Sequence, residues 1–505
     1  MFFSRIHREA VLRNLTAIAV SNIFLQLLGF GYRIFLSRMT GAEGMGVYQL
    51  VMPFYSLLSS LTLTGLTVAV AKLSAERKSA GDMLGARSSV PRAIRLFTLS
   101  LFAAGALSFF FRDFIGNSFL GDARVLPSLP FLFVCLFLTG LENIMKNYFY
   151  GVGRVAPQIT SEISEQIVRA LAVATLLLSF APKNAAISSV LIICGMIASE
   201  FVSSLLLSLF YVCDKKKKQN VSPKKPSFMR FLKIALPVSA SRGANNLLST
   251  FTCALIPMRL RASGLSPRAA TESFGITFGM TMPLLSFPIA FIAALSSVMM
   301  PKISEAYAKK DFSDTRRKAG KTIHTTGLLA MPLVAIMLSL GKPLGTLLFK
   351  NEGVGELLLP LSIATLISFY EISFGAILNA IGLEKRNAIY EVSTGILGLV
   401  FTWLVGIPEL RMRAFAIGSV VCGGICAALQ FSSLCRALAL SPRFGNWFFT
   451  PFLAAFLSAV VADAAYTLSG NLLISFALSL LSYFLALFAL GTNPIKYVRT
   501  LVPKE

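Results

Sequence analysis

The sequence predicts an all-α polytopic membrane protein with about fourteen transmembrane helices, arranged as two six-helix lobes and two extra C-terminal helices. Of its 505 residues, 55% are hydrophobic and only 14% are charged, whereas soluble domains carry about 25% charged residues. Apolar runs close to the roughly 20 residues that cross a bilayer recur along the whole length. A repeat of the first half in the second half determines the predicted arrangement of the helices.

The predicted helices follow one another along the chain with short connections. Their limits are residues 14–36, 47–70, 92–112, 125–150, 158–181, 186–212, 230–260, 273–300, 322–341, 355–381, 387–408, 413–438, 447–467 and 470–491. The ninth could extend through Phe349. Gly151, Gly153 and Gly382 follow apolar runs, and we interpret them as tight turns at which a helix ends.

An internal repeat relates the two halves of the chain. Two motifs recur at a spacing of 230 residues, Met52-Pro53 with Met282-Pro283 and Lys72-Leu73-Ser74 with Lys302-Ile303-Ser304. Three residues recur at a spacing of 229, Glu142, Gly153 and Glu162 with Glu371, Gly382 and Glu391. Because each copy holds an even number of helices, both copies enter the membrane in the same direction, as in transporters built from parallel repeats about a pseudo-two-fold axis. We predict an N-lobe at 1–212, a basic linker at 213–229, a C-lobe at 230–440, and an appendage at 441–505 that holds helices 13 and 14 and a tail.

We interpret the positive charge of the chain as a topology signal. The formal net charge is +24, which in a soluble protein would suggest nucleic acid as a partner. Here most Lys and Arg residues lie in alternate connections, beginning with the N-terminal segment and including the linker. Because cytoplasmic loops of membrane proteins carry such an excess, both termini and the linker are predicted to be cytoplasmic, and no nucleic acid is expected.

Signatures of enzymes and of bound metals are not found in the sequence. The seven cysteines are odd in number and form no C-x-x-C pair. Cys422 and Cys426 share a helix face, but two thiols without histidine or a further cysteine make a poor metal site. His7 and His324 lie far apart in the sequence. We therefore expect no catalytic residue, no cofactor and no metal.

Arginine within the predicted helices indicates a binding site. Arg33 lies toward the outer end of helix 1, Arg242 well inside helix 7, and Arg259 at the outer end of helix 7. An arginine near the centre of a membrane helix costs roughly 2.5–3.5 kcal/mol on insertion scales, so such residues tend to face a cavity. The alternative for Arg33 and Arg259 is that their side chains snorkel to the outer interface. Arg242 has less opportunity to do so.

The helices that carry these arginines lack acidic residues. Helices 1, 2 and 7 contain no Asp or Glu, and helix 8 has only Glu272 at its edge. Neutral polar residues take their place, namely Asn22, Gln26, Asn245 and Asn246. A cavity lined by these helices would be basic, which suits an anion. Arginine suits phosphate in particular, because its planar guanidinium can donate to two oxygens at once.

Carboxylates elsewhere leave a second interpretation open. Glu142 and Glu371, at equivalent positions of the repeat, are candidates for an ion-coupling site. The alternative is local ion pairing, because Lys146 follows Glu142 by one helical turn and Arg169 follows Glu165 by four residues.

Several segments of the sequence resemble a known family. Residues 31–38 and 41–49 are similar to the opening of the stage V sporulation protein B family and related polysaccharide-export proteins, and residues 71–76, 259–266 and 301–306 continue the similarity. The resemblance covers essentially the whole chain. It implies the multidrug/oligosaccharidyl-lipid/polysaccharide (MOP) flippase superfamily, with two six-helix lobes in a V, located in the bacterial cytoplasmic membrane.

The chain is also similar to the lipid II flippases of bacterial peptidoglycan synthesis, which likewise have fourteen helices. Those flippases hold the pyrophosphate of the lipid carrier with arginines in a central cavity, a role that the resemblance would assign to Arg33 and Arg242. It also implies that helices 13 and 14 form a groove for the lipid tail.

Three functions compete for this sequence. The favoured one is a flippase that moves an undecaprenyl-pyrophosphate-linked saccharide, such as a precursor of peptidoglycan or polysaccharide, from the inner to the outer leaflet by alternating access. Its expected partners are that substrate, membrane lipids and enzymes of cell-wall synthesis, and the chain is expected to act as a monomer. The second is a cation-coupled multidrug antiporter. The third is a non-transporting membrane scaffold for cell-wall or spore-cortex synthesis.

Overall fold

The computed structural model describes residues 2–182, 184–214 and 228–492, and it describes side chains at Ser21 and from Phe24 onward except at positions 228 and 241. These ranges contain helices and no strand. Eleven helical stretches in them are long and apolar enough to cross a membrane. The predicted all-α polytopic class is therefore confirmed, while the count of fourteen spans stays a prediction.

Seventeen α-helices follow one another along the described chain. They are α1 Phe2–Ser59, α2 Gly65–Ser79, α3 Met83–Arg87, α4 Ser89–Phe110, α5 Leu129–Gly151, α6 Ala156–Phe180, α7 Ala185–Cys213, α8 Phe228–Ala262, α9 Pro267–Phe274, α10 Met282–Ser286, α11 Ile289–Ala308, α12 Phe312–Phe349, α13 Leu358–Ala380, α14 Glu384–Leu404, α15 Met412–Leu438, α16 Thr450–Ser469 and α17 Leu472–Ala489. Short π-helical or 3-10 turns lie at Ser60–Thr64, Phe114–Phe119, Ala123–Ser128, Gly275–Thr281, Glu352–Gly355 and Gly445–Phe449. Each of the fourteen predicted apolar segments falls on one or more of these helices.

The first two predicted helices are joined without a loop. The 58 residues of α1 would be about 87 Å long at 1.5 Å per residue, far more than the roughly 30 Å of a hydrocarbon core. Gly41 divides α1, because its φ of 67° and ψ of −176° are not helical. Glycine adopts this positive φ without the steric cost of a Cβ. A kink at Gly41, rather than a loop, therefore separates the two predicted spans.

The eighth predicted helix is broken into pieces. It begins as α9, passes through the π-helical turn Gly275–Thr281 and α10, and resumes as α11 after Pro288. Proline lacks the amide proton that would continue the helical hydrogen bonds, which accounts for the break. The ninth helix, α12, does extend to Phe349 as the sequence allowed.

By its internal contacts the chain divides into two compact units. Unit 1 comprises residues 1–261 and 265–275, and unit 2 comprises residues 262–264 and 276–505. Unit 1 contains α1 to α9, apart from Ala262 at the end of α8, and unit 2 contains α10 to α17. The predicted lobe boundaries at 212 and 230 stay predictions.

Unit 2 is organised around α12. The long helix packs against α11, α13 and α16, and its buried cluster includes Tyr370, Phe374, Trp447 and Tyr483. The Tyr483 hydroxyl of α17 donates to the Leu328 carbonyl of α12 at 3.0 Å. The two extra C-terminal helices thus pack onto α12 rather than standing apart from unit 2.

A reciprocal close contact joins α9 to α1 within unit 1. A Cβ added at Gly46 would lie 2.2 Å from the Thr271 carbonyl oxygen, and one added at Gly275 would lie 2.0 Å from the Ala42 carbonyl oxygen. Gly46 and Gly275 are 229 residues apart, and so are Ala42 and Thr271. A contact in which each residue meets the equivalent of its partner is the type that a two-fold axis generates. It supports the repeat that the sequence predicts.

Candidate functional site

Two predicted arginines are exposed on the helices of unit 1. Arg242 lies on α8, about 21 Å from Phe228 and about 30 Å from Ala262 along a helix that rises 1.5 Å per residue. A hydrocarbon core about 30 Å thick and centred on this helix contains it. Arg33 lies on α1, about 12 Å before the kink at Gly41. Both side chains are exposed, and neither forms an ion pair or hydrogen bond with another described residue.

The neutral polar residues of α8 divide into structural and exposed positions. Asn246 donates to the Ser56 carbonyl at 3.2 Å, and Thr250 donates to the Pro53 carbonyl at 2.9 Å. These bonds hold α8 against the second half of α1. Asn245 is exposed and Gln26 is half-buried. The side chain of Asn22 lies outside the described residues.

Arg259 differs from Arg33 and Arg242. It is half-buried near the end of α8 and interacts with other residues of the protein. Its surroundings therefore do not single it out as a binding residue, and its predicted role stays a prediction.

A cluster of buried charges joins α5, α6 and α7. The Lys146 ammonium lies 2.5 Å from Glu142 Oε1 and 3.3 Å from Glu165 Oε2. The Arg169 guanidinium pairs with Glu165 and lies 3.3 Å from Glu200 Oε1. The two predicted local ion pairs, Glu142 with Lys146 and Glu165 with Arg169, are confirmed. Both belong to a larger network that the spacing alone did not indicate.

Three buried carboxyl groups in this cluster lie close together, and a fourth, the less buried Glu162, lies 3.9 Å from Lys146. Carboxylate oxygens of Glu142, Glu165 and Glu200 lie within 4.8 Å of one another, while Oε2 of Glu200 is buried with no hydrogen-bond partner in the described part of the chain. A metal ion would have to compete with Lys146, which already contacts two of these carboxyl groups. A proton shared among the three acids balances the charge better, because two carboxylates in close contact cannot both remain ionised at low cost.

The other ion-coupling candidate, Glu371, lies in unit 2 on α13. Its carboxyl group is half-buried and is hydrogen-bonded with Cys426. No salt bridge links it to a described cation. Cys422 and Cys426 are buried free thiols, and a cysteine–carboxyl pair of this kind fits packing as well as it fits ion binding.

A second ionic network in unit 1 lies at the ends of helices. Arg124 pairs with Glu43, lies 2.6 Å from Asp122 Oδ2 and donates to Thr271 Oγ1 at 2.9 Å. The Thr271 hydroxyl donates to Asp122 Oδ2 at 2.9 Å. Burial alone would raise the pKa of Asp122, but hydrogen bonds from Arg124 and Thr271 outweigh it and hold that pKa below its ordinary value. The network fastens α9 to α1 and to the turn that precedes α5.

Sequence reasoning missed both Glu200 and this second network. Glu200 lies in an apolar helix with no basic residue one turn away, so nothing in the sequence linked it to Arg169, which lies on another helix. The interruption of an apolar run by a carboxylate was the available signal, since such residues are costly in a membrane and are usually paired or functional.

The sequence profile of the polysaccharide biosynthesis protein family matches residues 11–307, and the MatE family profile matches residues 269–404. Stage V sporulation protein B of Bacillus subtilis (strain 168) is 24% identical over 445 residues, covering 86% of this chain and 85% of the relative. Lipid II flippase MurJ of the same organism is 22% identical over 439 residues, covering 80% of this chain and 78% of the relative.

A solved structure shows the same fold. A lipid II flippase MurJ in an inward closed conformation has a TM-score of 0.64 at 15% sequence identity, covering 94% of this chain and 98% of that structure. The profile of the polysaccharide biosynthesis protein family spans more than half of the 505-residue chain. The relatives and the solved structure point to the same superfamily. The chain therefore belongs to the polysaccharide biosynthesis protein family of the MOP flippase superfamily.

Proposed function

We propose that this protein is a flippase for a lipid-linked saccharide whose carrier bears a pyrophosphate, moved from the inner to the outer leaflet by alternating access. The observation that carries the proposal is Arg242, an exposed guanidinium near the middle of α8 with no acidic partner in the described chain. A permanent charge held there without a counter-ion is costly, and an anionic substrate group would neutralise it.

The contrast with the buried charges of unit 1 supports this proposal. Lys146 and Arg169 are each matched by carboxylates, as expected for cations that stabilise packing. Arg33 and Arg242 have no such carboxylate among the residues that the structure describes. A guanidinium that donates to two oxygens of a phosphate would complete their hydrogen bonding. The sequence relationship to a lipid II flippase favours a pyrophosphate-linked lipid over a soluble anion.

The test is native mass spectrometry of the purified protein, to detect a co-purified lipid. We expect a pyrophosphate-bearing lipid on the wild-type protein and its loss from the Arg33→Gln/Arg242→Gln variant. Arg112→Gln is the control, because Arg112 is an exposed arginine beyond the end of α4, near Asp113. Equal lipid occupancy in all three proteins would contradict the assignment of the two arginines.

A second candidate function, cation-coupled antiport, is favoured by the buried cluster of Glu142, Glu165 and Glu200. These acids outnumber the cations Lys146 and Arg169, so a proton held among them would be exchanged during transport. The decisive measurement is the dependence of transport on an imposed proton gradient. Coupled antiport predicts that transport stops when the gradient is collapsed and that Glu200→Gln removes this dependence, whereas the flippase proposal predicts transport without the gradient.

A further inference from the structure

A basic cavity opens in unit 2 at one end of its helices. Its volume is about 900 Å³, and it lies where α11 ends, α12 begins and the chain passes from α15 to α16. The basic lining residues are Lys302, Arg316, Arg317, Lys318, Lys321 and Arg443. None of the lining residues is acidic. The cavity therefore concentrates positive charge within a concave surface.

One acid, Asp314, pairs with two of the cations that line the cavity. Asp314 lies 2.6 Å from Arg317 and 2.7 Å from Lys318. Lys302, Arg316 and Arg443 form no ion pair with a described residue, and the only hydrogen bond of the Arg316 side chain is to the carbonyl of Phe312. Arg317 and Lys318 thus share one negative charge, Lys321 interacts elsewhere in the protein, and Lys302, Arg316 and Arg443 are available to an anion.

The deeper lining of the cavity is apolar and aromatic. Met299, Leu440 and Trp447 contribute to it, and Trp447 is fixed against α12, where a Cβ at Gly320 would lie 2.8 Å from its ring. The indole N–H of Trp447 forms no hydrogen bond with a described residue. From Ser313 to His324 the lining follows α12 for about 16 Å along its axis. The cavity therefore combines cations with an apolar wall, a pairing that suits a ligand with a charged head and an apolar chain.

We propose that this cavity binds the phosphate headgroup of an acidic phospholipid. Phosphate is the ligand that several guanidinium and ammonium groups recognise together. The apolar wall favours a lipid over a soluble phosphate, which would need only the charged rim. The predicted topology places this end of unit 2 in the cytoplasm, where anionic lipids attract basic groups. The residues are separate from Arg33 and Arg242, so the inference does not depend on the proposed transport substrate.

Trp447 provides the readout. The chain has two tryptophans, so Trp403→Phe leaves Trp447 as the only one. In this background, short-chain phosphatidylglycerol is titrated into the full-length protein in detergent, with phosphatidylcholine of the same chain length and inorganic phosphate as separate arms. We expect a saturable change in Trp447 emission with phosphatidylglycerol, at least about tenfold weaker binding of the other two ligands, and weakening by added salt.

The variant Arg316→Gln/Arg443→Gln should weaken phosphatidylglycerol binding roughly thirtyfold, because each cation near a membrane surface contributes about one factor of five to six. The matched control is Lys385→Gln/Arg386→Gln, which removes two exposed charges in the first turn of α14, outside the cavity lining. It should bind like the parent.

Three outcomes would overturn the proposal. Equal binding of both phospholipids would show that the phosphate charge is not recognised. Equal loss in the control variant would show only a general surface attraction. Binding of inorganic phosphate as tight as that of phosphatidylglycerol would assign the cavity to a soluble anion instead of a lipid.

Discussion

Glu200 is a buried acid that the nearby cations neutralise only in part. It is only 4% exposed, its Oε2 has no hydrogen-bond partner among the described residues, and Arg169, 3.3 Å from its Oε1, also pairs with Glu165. Replacing it with the uncharged isostere glutamine removes the excess acid and keeps the shape. We expect Glu200→Gln to leave thermal stability in detergent unchanged or higher.

Lys146→Met removes a cation from the same cluster, whereas Glu200→Gln removes an acid. It removes the cation that contacts Glu142 and Glu165 and leaves uncompensated carboxyl groups in the interior. Breaking a buried pair in this way costs about 3–5 kcal/mol. We expect a large loss of thermal stability, measured by the unfolding midpoint. A variant as stable as the wild type would show that the cluster does not hold α5 to α6.

Asp122 gives the second ionic network, that of Arg124 and Thr271, a predictable dependence on pH. Hydrogen bonds from Arg124 and Thr271 lower the pKa of Asp122 relative to the unfolded chain, so the folded state binds the proton less readily. Stability from this group is therefore complete above its unfolded pKa of about 3.9 and is lost as the pH falls through the lower folded value.

We expect Asp122→Asn to reduce the unfolding midpoint at neutral pH and to reduce it less at strongly acidic pH. Thermal unfolding followed across the pH range in detergent measures this difference. A destabilisation by Asp122→Asn that grows as the pH falls would contradict this expectation.

At the scale of helices, the sequence predicted well where the helices lie along the chain, but it predicted poorly how consecutive helices are connected. Apolar length fixed each span, because a membrane helix must satisfy its own backbone hydrogen bonds. The sequence predicted a loop where the structure has a kink at Gly41, and a continuous helix where the structure has a break at Pro288. Composition shows which residues permit a bend, but it does not show whether the chain bends there. The contacts of Glu200, Asp122 and Arg124 depend on helix packing, which one sequence does not reveal.

The approach of α9 to α1 gives a prediction at this scale. Gly46→Val would place a side chain against the Thr271 carbonyl, 2.2 Å from the position of the first added carbon, so α9 must move away from α1. We expect a loss of stability of about 1–3 kcal/mol from overpacking. Gly31→Ala is the control, because a Cβ at Gly31 of the same helix meets no atom within 4 Å. Equal unfolding midpoints of the two variants would contradict the close contact.

At the scale of the whole molecule, the predicted topology is open to a direct test. Cys213 ends α7, is the first residue of the predicted basic linker, and is an exposed free thiol. If the linker is cytoplasmic, a membrane-impermeant maleimide should label Cys213 only after cells are permeabilised. A Cys213→Ser variant identifies the labelled site. Labelling of Cys213 in intact cells would reverse the orientation inferred from the positive loops.

Transport of a pyrophosphate-linked lipid is the central claim, and leaflet exchange in vesicles tests it most directly. The protein is reconstituted with a labelled undecaprenyl-pyrophosphate saccharide, and the fraction reaching the opposite leaflet is followed with and without a membrane potential. An anion moving outward gains roughly 2.3 kcal/mol per charge for every 100 mV. We therefore predict faster exchange with the potential positive on the side of arrival.

The decisive comparison is among wild type, Arg242→Lys, Arg242→Gln and the control Arg112→Gln. Our account predicts that Arg242→Gln slows exchange by at least about tenfold, that Arg242→Lys retains part of the rate because it keeps the charge but loses the two-pronged guanidinium, and that Arg112→Gln matches wild type. Wild-type exchange by Arg242→Gln, in protein of equal thermal stability, would contradict it.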